Sequence, residues 1–307
     1  MGSSLPLGQF DRVCKPLQSH VPQETHESNT LSRRALLVCG AATLTAWAGS
    51  ACAPLEHRVR VRDPRLQAGA AGTLWIGGDL QVNRIGLGTA EFTGPNRWGE
   101  PEDVPAVLRL LRRAYELGVN YIDTADVYGP FVAEQLIREA LHPYPADLVI
   151  ATKGGQLHGA GSAPNPDDGS PQHLRQACEA SLQRLGLEEI PLYQMHEPDP
   201  KVPYAESIGE LARLQMEGKI RHIGVANVDV ALLAKARAEA KIATVQNPFN
   251  LLSRQGDDML AVCERTGMAF IPARPLGRGE VAGNLTDTRL RGLKAVAQLT
   301  SPAVVYE

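Results

Sequence analysis

The stretch Tyr121-Ile122-Asp123-Thr124-Ala125-Asp126-Val127-Tyr128-Gly129 decides the fold. It opens as a short apolar strand and then turns polar, with Asp123 at the strand's end and Tyr128 five residues further on. Two later segments repeat the pattern: LVIATKGG (148–155) runs into Lys153, and LYQMHEPD (192–199) runs into His196. Polar side chains at the C-terminal ends of successive strands are what a parallel α/β barrel presents at its working face.

Outward from these segments, apolar runs alternate with helical patterns. TLWIGGDLQVNRIGLGTA (73–90) gives two short strands turned at Gly77-Gly78-Asp79, followed by a first barrel strand. PEDVPAVLRLLRRAYELG (101–118) starts with Pro101 and two acids, sets Val104, Val107, Leu108, Leu111, Ala114 and Tyr115 on one helical face, and stops at Gly118. Ser170-Pro171 opens another helix as cap and first position. The alternation continues through FVAEQLIREAL, AESIGELARLQMEGK, IRHIGVAN, DVALLAKARAEA, ATVQNPF, DDMLAVCERTG and AFIPARP. Strands alternating with helices mean βαβ units and a parallel sheet. The expected fold class is α/β, a (β/α)8 TIM barrel. The rival, an open doubly wound sheet with a nucleotide-binding turn, needs GxGxxG; Gly86-Leu87-Gly88-Thr89-Ala90-Glu91 lacks the third glycine.

The chain has 307 residues, 43% hydrophobic and 21% charged, with a formal net charge of -3, which suits one large core and excludes a polyanionic partner such as a nucleic acid. Cys14, Cys39, Cys52, Cys178 and Cys263 form no CxxC pair, so neither a metal site nor a disulfide framework is expected. Residues 1–53 read as a leader: Ser32-Arg33-Arg34 precedes an apolar run from Ala35 to Cys52 that resembles a twin-arginine export signal with a small-residue end at Ala51-Cys52-Ala53. That predicts periplasmic export, with membrane contact only through the leader. A cytoplasmic location follows instead if the leader belongs to the gene model alone, and lipidation at Cys52 or an uncleaved anchor are the other readings. Residues 54–72, rich in arginine and small residues, read as a linker, and 73–307 as the barrel.

The residue types at the strand ends fit one reaction. A tyrosine titrates near ~10, so to donate a proton at neutral pH it needs a neighbouring cation. Lys153 supplies the cation, Asp123 holds the lysine, and His196 orients a carbonyl. Singly, each has a structural reading: Asp123 a cap, Tyr128 a core residue, Lys153 a solvated charge, His196 a satisfied core histidine. Jointly, at consecutive strand ends, the catalytic reading prevails.

From about Gly72 to about Leu299 the chain resembles the aldo-keto reductases, NADP(H)-dependent carbonyl reductases on a (β/α)8 barrel. The likeness rests on RIGLGT, GVNYIDTADVYG, ATKGG, SLQRLGL with LYQMHEPD, EGKIRHIGVANV and VQNPFNLLSR. It implies a tetrad of Asp123, Tyr128, Lys153 and His196 acting on a small-molecule carbonyl. It further implies that Asn227 and Gln246 hold the nicotinamide carboxamide and that Leu276, Gly277 and Gly279 run under the pyrophosphate. The amides could instead cap helices, the glycines could be ordinary turn residues, and Arg254 is either a cation near the cofactor or a surface charge. Two departures stand out. Ala273 replaces an aromatic that stacks on the nicotinamide in many relatives, with Arg274 as the candidate compensation. After RLRGLKAVAQL the sequence TSPAVVYE ends where relatives continue, so an incomplete barrel lacking the eighth strand and closing helices is expected. The alternative function is therefore a non-catalytic relative that binds cofactor weakly or acts as a sensor. Nothing in the sequence sets the oligomeric state.

Overall fold

A computed structural model describes residues 67–159, 165–254 and 256–277. The leader, Gly279, the helix expected over RLRGLKAVAQL and the closing VVYE lie outside the described residues.

An antiparallel hairpin comes first, β1 (Thr73–Ile76) and β2 (Leu80–Asn83), with Thr73 opposite Asn83 and Ile76 opposite Leu80. Seven parallel strands follow in one sheet in chain order: β3 (Leu87–Gly88), β4 (Tyr121–Asp123), β5 (Val149–Gly154), β6 (Ile190–Met195), β7 (Ile220–Ala226), β8 (Ile242–Pro248) and β9 (Ala269–Ala273). Among the described residues six α-helices are interleaved: α1 (Val104–Glu116), α2 (Val132–Leu141), α3 (Pro171–Leu185), α4 (Tyr204–Met216), α5 (Val230–Glu239) and α6 (Asp257–Thr266). This is the curled parallel sheet of the expected α/β barrel, seven strands of it among the described residues, with β3 and β9 at its ends.

The helix boundaries have local causes. The turn expected at Pro101 starts instead at Val104, because the Asp103 carboxylate accepts the Ala106 N–H at 2.8 Å and fixes the cap there. Pro105 then falls in the first turn, where a missing N–H costs nothing. Ser170 caps α3 by accepting from the His173 N–H, and Gly186, in the left-handed region at φ 67°, ends it. Asp229 caps α5 through the Leu232 N–H at 2.7 Å.

Two kinds of core result. Outside the sheet, Leu108 and Leu111 of α1 and Leu136 and Ile137 of α2 pack on Ile122 and Ile150, while α3 to α6 cover the remaining strands. Burying a side chain the size of Leu111 contributes about 2 kcal/mol. Inside, Ile76, Leu80 and Val82 of the hairpin pack against Tyr121, Val149, Ala151, Leu192, Ala243, Ala269 and Ile271. The hairpin so fills the end of the barrel where the strands begin. The end of the segment read as a linker joins this body: Ala68–Ala71 is a 3-10 turn, Ala68 is buried, and its N–H donates to Leu117 O at 2.8 Å.

Side chains alternate along a strand, so Val149, Ala151 and Lys153 share one face of β5, as do Leu192 and Gln194 on β6. The same face that is apolar at the hairpin end is polar at the other. Register then sets Lys153 beside Gln194, Gln194 beside Gly224, and Gly224 beside Thr244.

Candidate active site

Asp123 ends β4 with its side chain wholly buried, and Lys153 near the end of β5 is 1% exposed. Lys153 Nζ donates to Asp123 Oδ2 in a buried ion pair and to Thr124 O at 3.0 Å. Gln194 Nε2 donates to the other carboxylate oxygen, Asp123 Oδ1, at 3.0 Å. Burying this pair is tolerable only because its charges are matched and hydrogen-bonded.

Tyr128 sits on the turn after β4. That turn is wound by Phe131 N–H to Asp126 O at 2.8 Å and by Ala133 N–H to Tyr128 O at 3.2 Å. Behind it, buried Glu134 accepts from Thr152 Oγ1 and from Arg184 Nε, each at 2.6 Å, and the Arg184 guanidinium lies 4.2 Å from the Phe131 ring centre. Burial, with Glu134 nearby, pushes the Asp126 carboxyl well above the usual carboxylate range. The turn is therefore clamped from below by α2 and α3.

The Lys153 ammonium is 5.5 Å from the centre of the Tyr128 ring, and the His196 ring meets Tyr128 edge-on with centroids 5.9 Å apart. All four tetrad residues come together. Burial, reinforced by the Lys153 charge, holds His196 well below its ordinary value, so its imidazole is neutral at physiological pH.

Tyr128 and His196 open into a cleft of about 1350 Å³, also lined by Trp98, Glu197, Asn227, Gln246, Arg274 and Leu276. Asn227 and Gln246 are brought side by side by the Asn227 N–H to Gln246 O bond at 2.9 Å. Asn227 Nδ2 donates to His196 O at 3.0 Å and to Glu197 Oε1 at 2.7 Å. Glu197 is pushed up to about 7 by burial and by Asp167, with Arg274 opposing. Leu276 is exposed at the cleft, and Gly277 donates its N–H to Arg274 O at 2.9 Å in the turn after β9. Arg254 pairs with Asp257 at 2.7 Å and lies over the Phe249 ring at 4.6 Å, which accounts for it as a surface residue. Ala273 ends β9 at the cleft, where it offers no aromatic face.

Gln194 and Glu197 were not singled out from the sequence. The signal was present: Leu192 and Gln194 of β6 and His196 just after it recur at every second residue, so a strand that delivers His196 to the cleft also delivers Gln194 to the interior. Cys178 and Cys263 are buried free thiols, each pushed up to about 12 by burial. Among the described residues no helix is long and apolar enough to cross a membrane, and no cluster of side chains is arranged to hold a metal.

A parallel barrel sheet with a buried Asp–Lys pair beneath a tyrosine and a neutral histidine defines a class, and sequence comparison agrees with it. The chain matches the Aldo/keto reductase family over residues 84–300 and belongs to that family. It is 44% identical over 217 residues to an uncharacterized oxidoreductase of Schizosaccharomyces pombe, covering 71% of this chain and 70% of that one. It is 39% identical over 207 residues to pyridoxine 4-dehydrogenase of Escherichia coli, covering 65% of this chain and 72% of the relative. Among solved structures, the glycerol dehydrogenase of Gluconobacter oxydans aligns with a TM-score of 0.62 at 36% identity, over 68% of this chain and 65% of that one. The chain therefore spans about two thirds of the length of these relatives. The family is one of oxidoreductases that use nicotinamide cofactors.

Proposed function

We propose that this protein transfers hydride between NADP(H) and a small-molecule carbonyl, an aldehyde or ketone, with Tyr128 as the proton donor. The observation that carries the reading is the Lys153 ammonium, fixed by Asp123 and 5.5 Å from the centre of the Tyr128 ring. A cation there stabilises negative charge on the phenol oxygen, which lets the phenol release its proton in reduction and take it back in alcohol oxidation. His196, kept neutral, retains an N–H to donate to the carbonyl oxygen and adds no net charge beside the ammonium.

The residues present suit a nicotinamide dinucleotide. Asn227 has both amide hydrogens turned to protein acceptors, which leaves its Oδ1 as an acceptor for a carboxamide NH2. Gln246 stands next to it, and Leu276, Gly277 and Gly279 would run under the pyrophosphate. When bound, the nicotinamide supplies the hydride. The protein's part is alignment, proton delivery and the exclusion of water from the interior. The dehydrogenase names of the relatives, one acting on pyridoxine and one on glycerol, support the alcohol–carbonyl interconversion.

The test is NADPH consumption against a panel of aldehydes and ketones, with NADP+ reduction by alcohols including glycerol and pyridoxine, and with Tyr128→Phe as control. Turnover no better than that of Tyr128→Phe would overturn the proposal. The twin-arginine-like leader supports export to the periplasm. Cell fractionation and the mass of the mature protein check it, and a cytoplasmic, full-length product refutes it.

A further inference from the structure

The interior of the sheet, one layer below the cleft, holds polar groups that the mechanism leaves unexplained. Asp123 has two carboxylate oxygens, both buried, and each has a donor: Oδ2 takes the Lys153 ammonium, Oδ1 takes the Gln194 amide at 3.0 Å. Gln194 is itself wholly buried, and its Oε1 faces the Thr244 hydroxyl at 3.4 Å. The orientation of the amide is fixed by chemistry, because an ionised carboxylate only accepts and must face the NH2. Space for it comes from Gly224, which adjoins Gln194 and Thr244 in the sheet; a Cβ there would overlap Thr244 Oγ1 and sit 2.8 Å from Gln194 Cγ. An apolar side chain at 194 would fill this interior as well as glutamine does but would leave Asp123 Oδ1 without a donor.

We propose that Gln194 is a positioning residue of the catalytic layer: by donating to Asp123 Oδ1 it limits how strongly Asp123 neutralises Lys153, and so sets the field that Lys153 exerts on Tyr128. The inference rests on the proposed reductase function. A carboxylate that shares its charge between an ammonium and an amide screens the ammonium less than one that gives it all to the ammonium. Without Gln194, Asp123 would neutralise Lys153 more fully, and the Tyr128 phenolate would form at higher pH.

The ionisable side chains that bear on this layer are few. Asp123 and Lys153 lie within it, and His196 stands at the end of β6, held neutral. Glu197 lines the same cleft as Tyr128, Asp126 lies in the turn below with Glu134 and Arg184 behind it, β7 presents Gly224 with His222 two residues before it and turned to Asp79 of the hairpin, and β8 presents Thr244 and Gln246.

The experiment is the pH profile of kcat for benzyl alcohol oxidation by the full chain with NADP+, comparing wild type with Gln194→Met, which keeps the volume and removes the donor. The expected result is that the limb rising with phenolate formation moves up by about 0.5 in pH, with KM for the alcohol unchanged. Thr244→Val, which releases the far end of the same amide, shifts it the same way by less and serves if Gln194→Met does not fold. If benzyl alcohol is not turned over, urea unfolding of Gln194→Met, Lys153→Met and the double variant reads the coupling directly: midpoint shifts that do not add support the role. An unmoved pH limb in a folded variant, or strictly additive midpoint shifts, overturns it and leaves Gln194 as packing. Failure of the function itself would show separately, as Tyr128→Phe matching wild type.

Discussion

The side-chain amide of Asn227 donates to the Glu197 carboxylate at 2.7 Å while also donating to the His196 carbonyl at 3.0 Å. Two acceptors on the same nitrogen fix which way the amide faces. Asn227 is held in the left-handed region at φ 56°, so the strand end is bent to make this contact.

Glu197→Ala frees one of those hydrogens and lets the amide turn. NADPH affinity should fall about fivefold to tenfold, the equivalent of one ordinary hydrogen bond. Glu197→Gln keeps an acceptor and should stay within about twofold of wild type. Quenching of protein fluorescence on NADPH titration measures both, and equal affinities for the alanine and wild-type proteins would refute the link.

Glu197 also gives stability a pH dependence. Its value is raised from an ordinary 4.5 to about 7 in the folded protein. Between those pH values the folded state keeps a proton that the unfolded chain has released, so this group's contribution to stability declines as pH rises through the window. Glu197→Gln removes that decline. Its melting temperature relative to wild type should therefore be higher at about pH 8 than at about pH 5. A difference that is the same at both pH values would show that Glu197 does not titrate in this range.

Lys153→Met leaves the Asp123 carboxylate buried with only Gln194 as a side-chain donor. Losing one member of a buried pair costs about 3–5 kcal/mol, far more than the pair's net contribution. Urea unfolding should show this loss, and Asp123→Asn combined with Lys153→Met should recover part of it. A single variant as stable as wild type would mean that the layer is open to water.

Gly224→Ala places a methyl group against Thr244 and Gln194, both wholly buried. Overpacking of this kind costs about 1–3 kcal/mol. Here it should also lower kcat, since the displaced side chain is the one that reaches Asp123. Urea midpoints and steady-state rates on the same preparation separate the two effects, and a stable variant with full activity would show that the sheet accommodates the methyl group.

Much of this was legible in the chain. Strand–helix alternation, the Ser170 cap and the hairpin at Gly77–Asp79 follow from local chemistry: a hydroxyl takes a spare N–H, and glycines permit a tight turn. That Asp123, Tyr128, Lys153 and His196 come together was legible for a related reason: each has a structural reading alone, but four residues of complementary types at or just after successive strand ends point to one face of the sheet. The start of α1 was misplaced because Pro101 and Asp103 both look like helix openers, and only the Ala106 N–H shows which one caps.

The sequence by itself determined the barrel class, carried the motifs that resemble the aldo-keto reductases, and offered four polar side chains at or just after strand ends, since each of these lies within short segments. Tertiary structure alone decided what stands beside them. Gln194 reaches Asp123 across 71 positions in sequence, and Gly224 matters because of a collision with Thr244 on the next strand. Glu197 takes its charge state from burial in the cleft and from Asp167, 30 positions away. Local pattern fixes which side chain a strand offers. The register between strands, and the loss of water where they meet, fixes the charge that side chain carries and the neighbours it acts through.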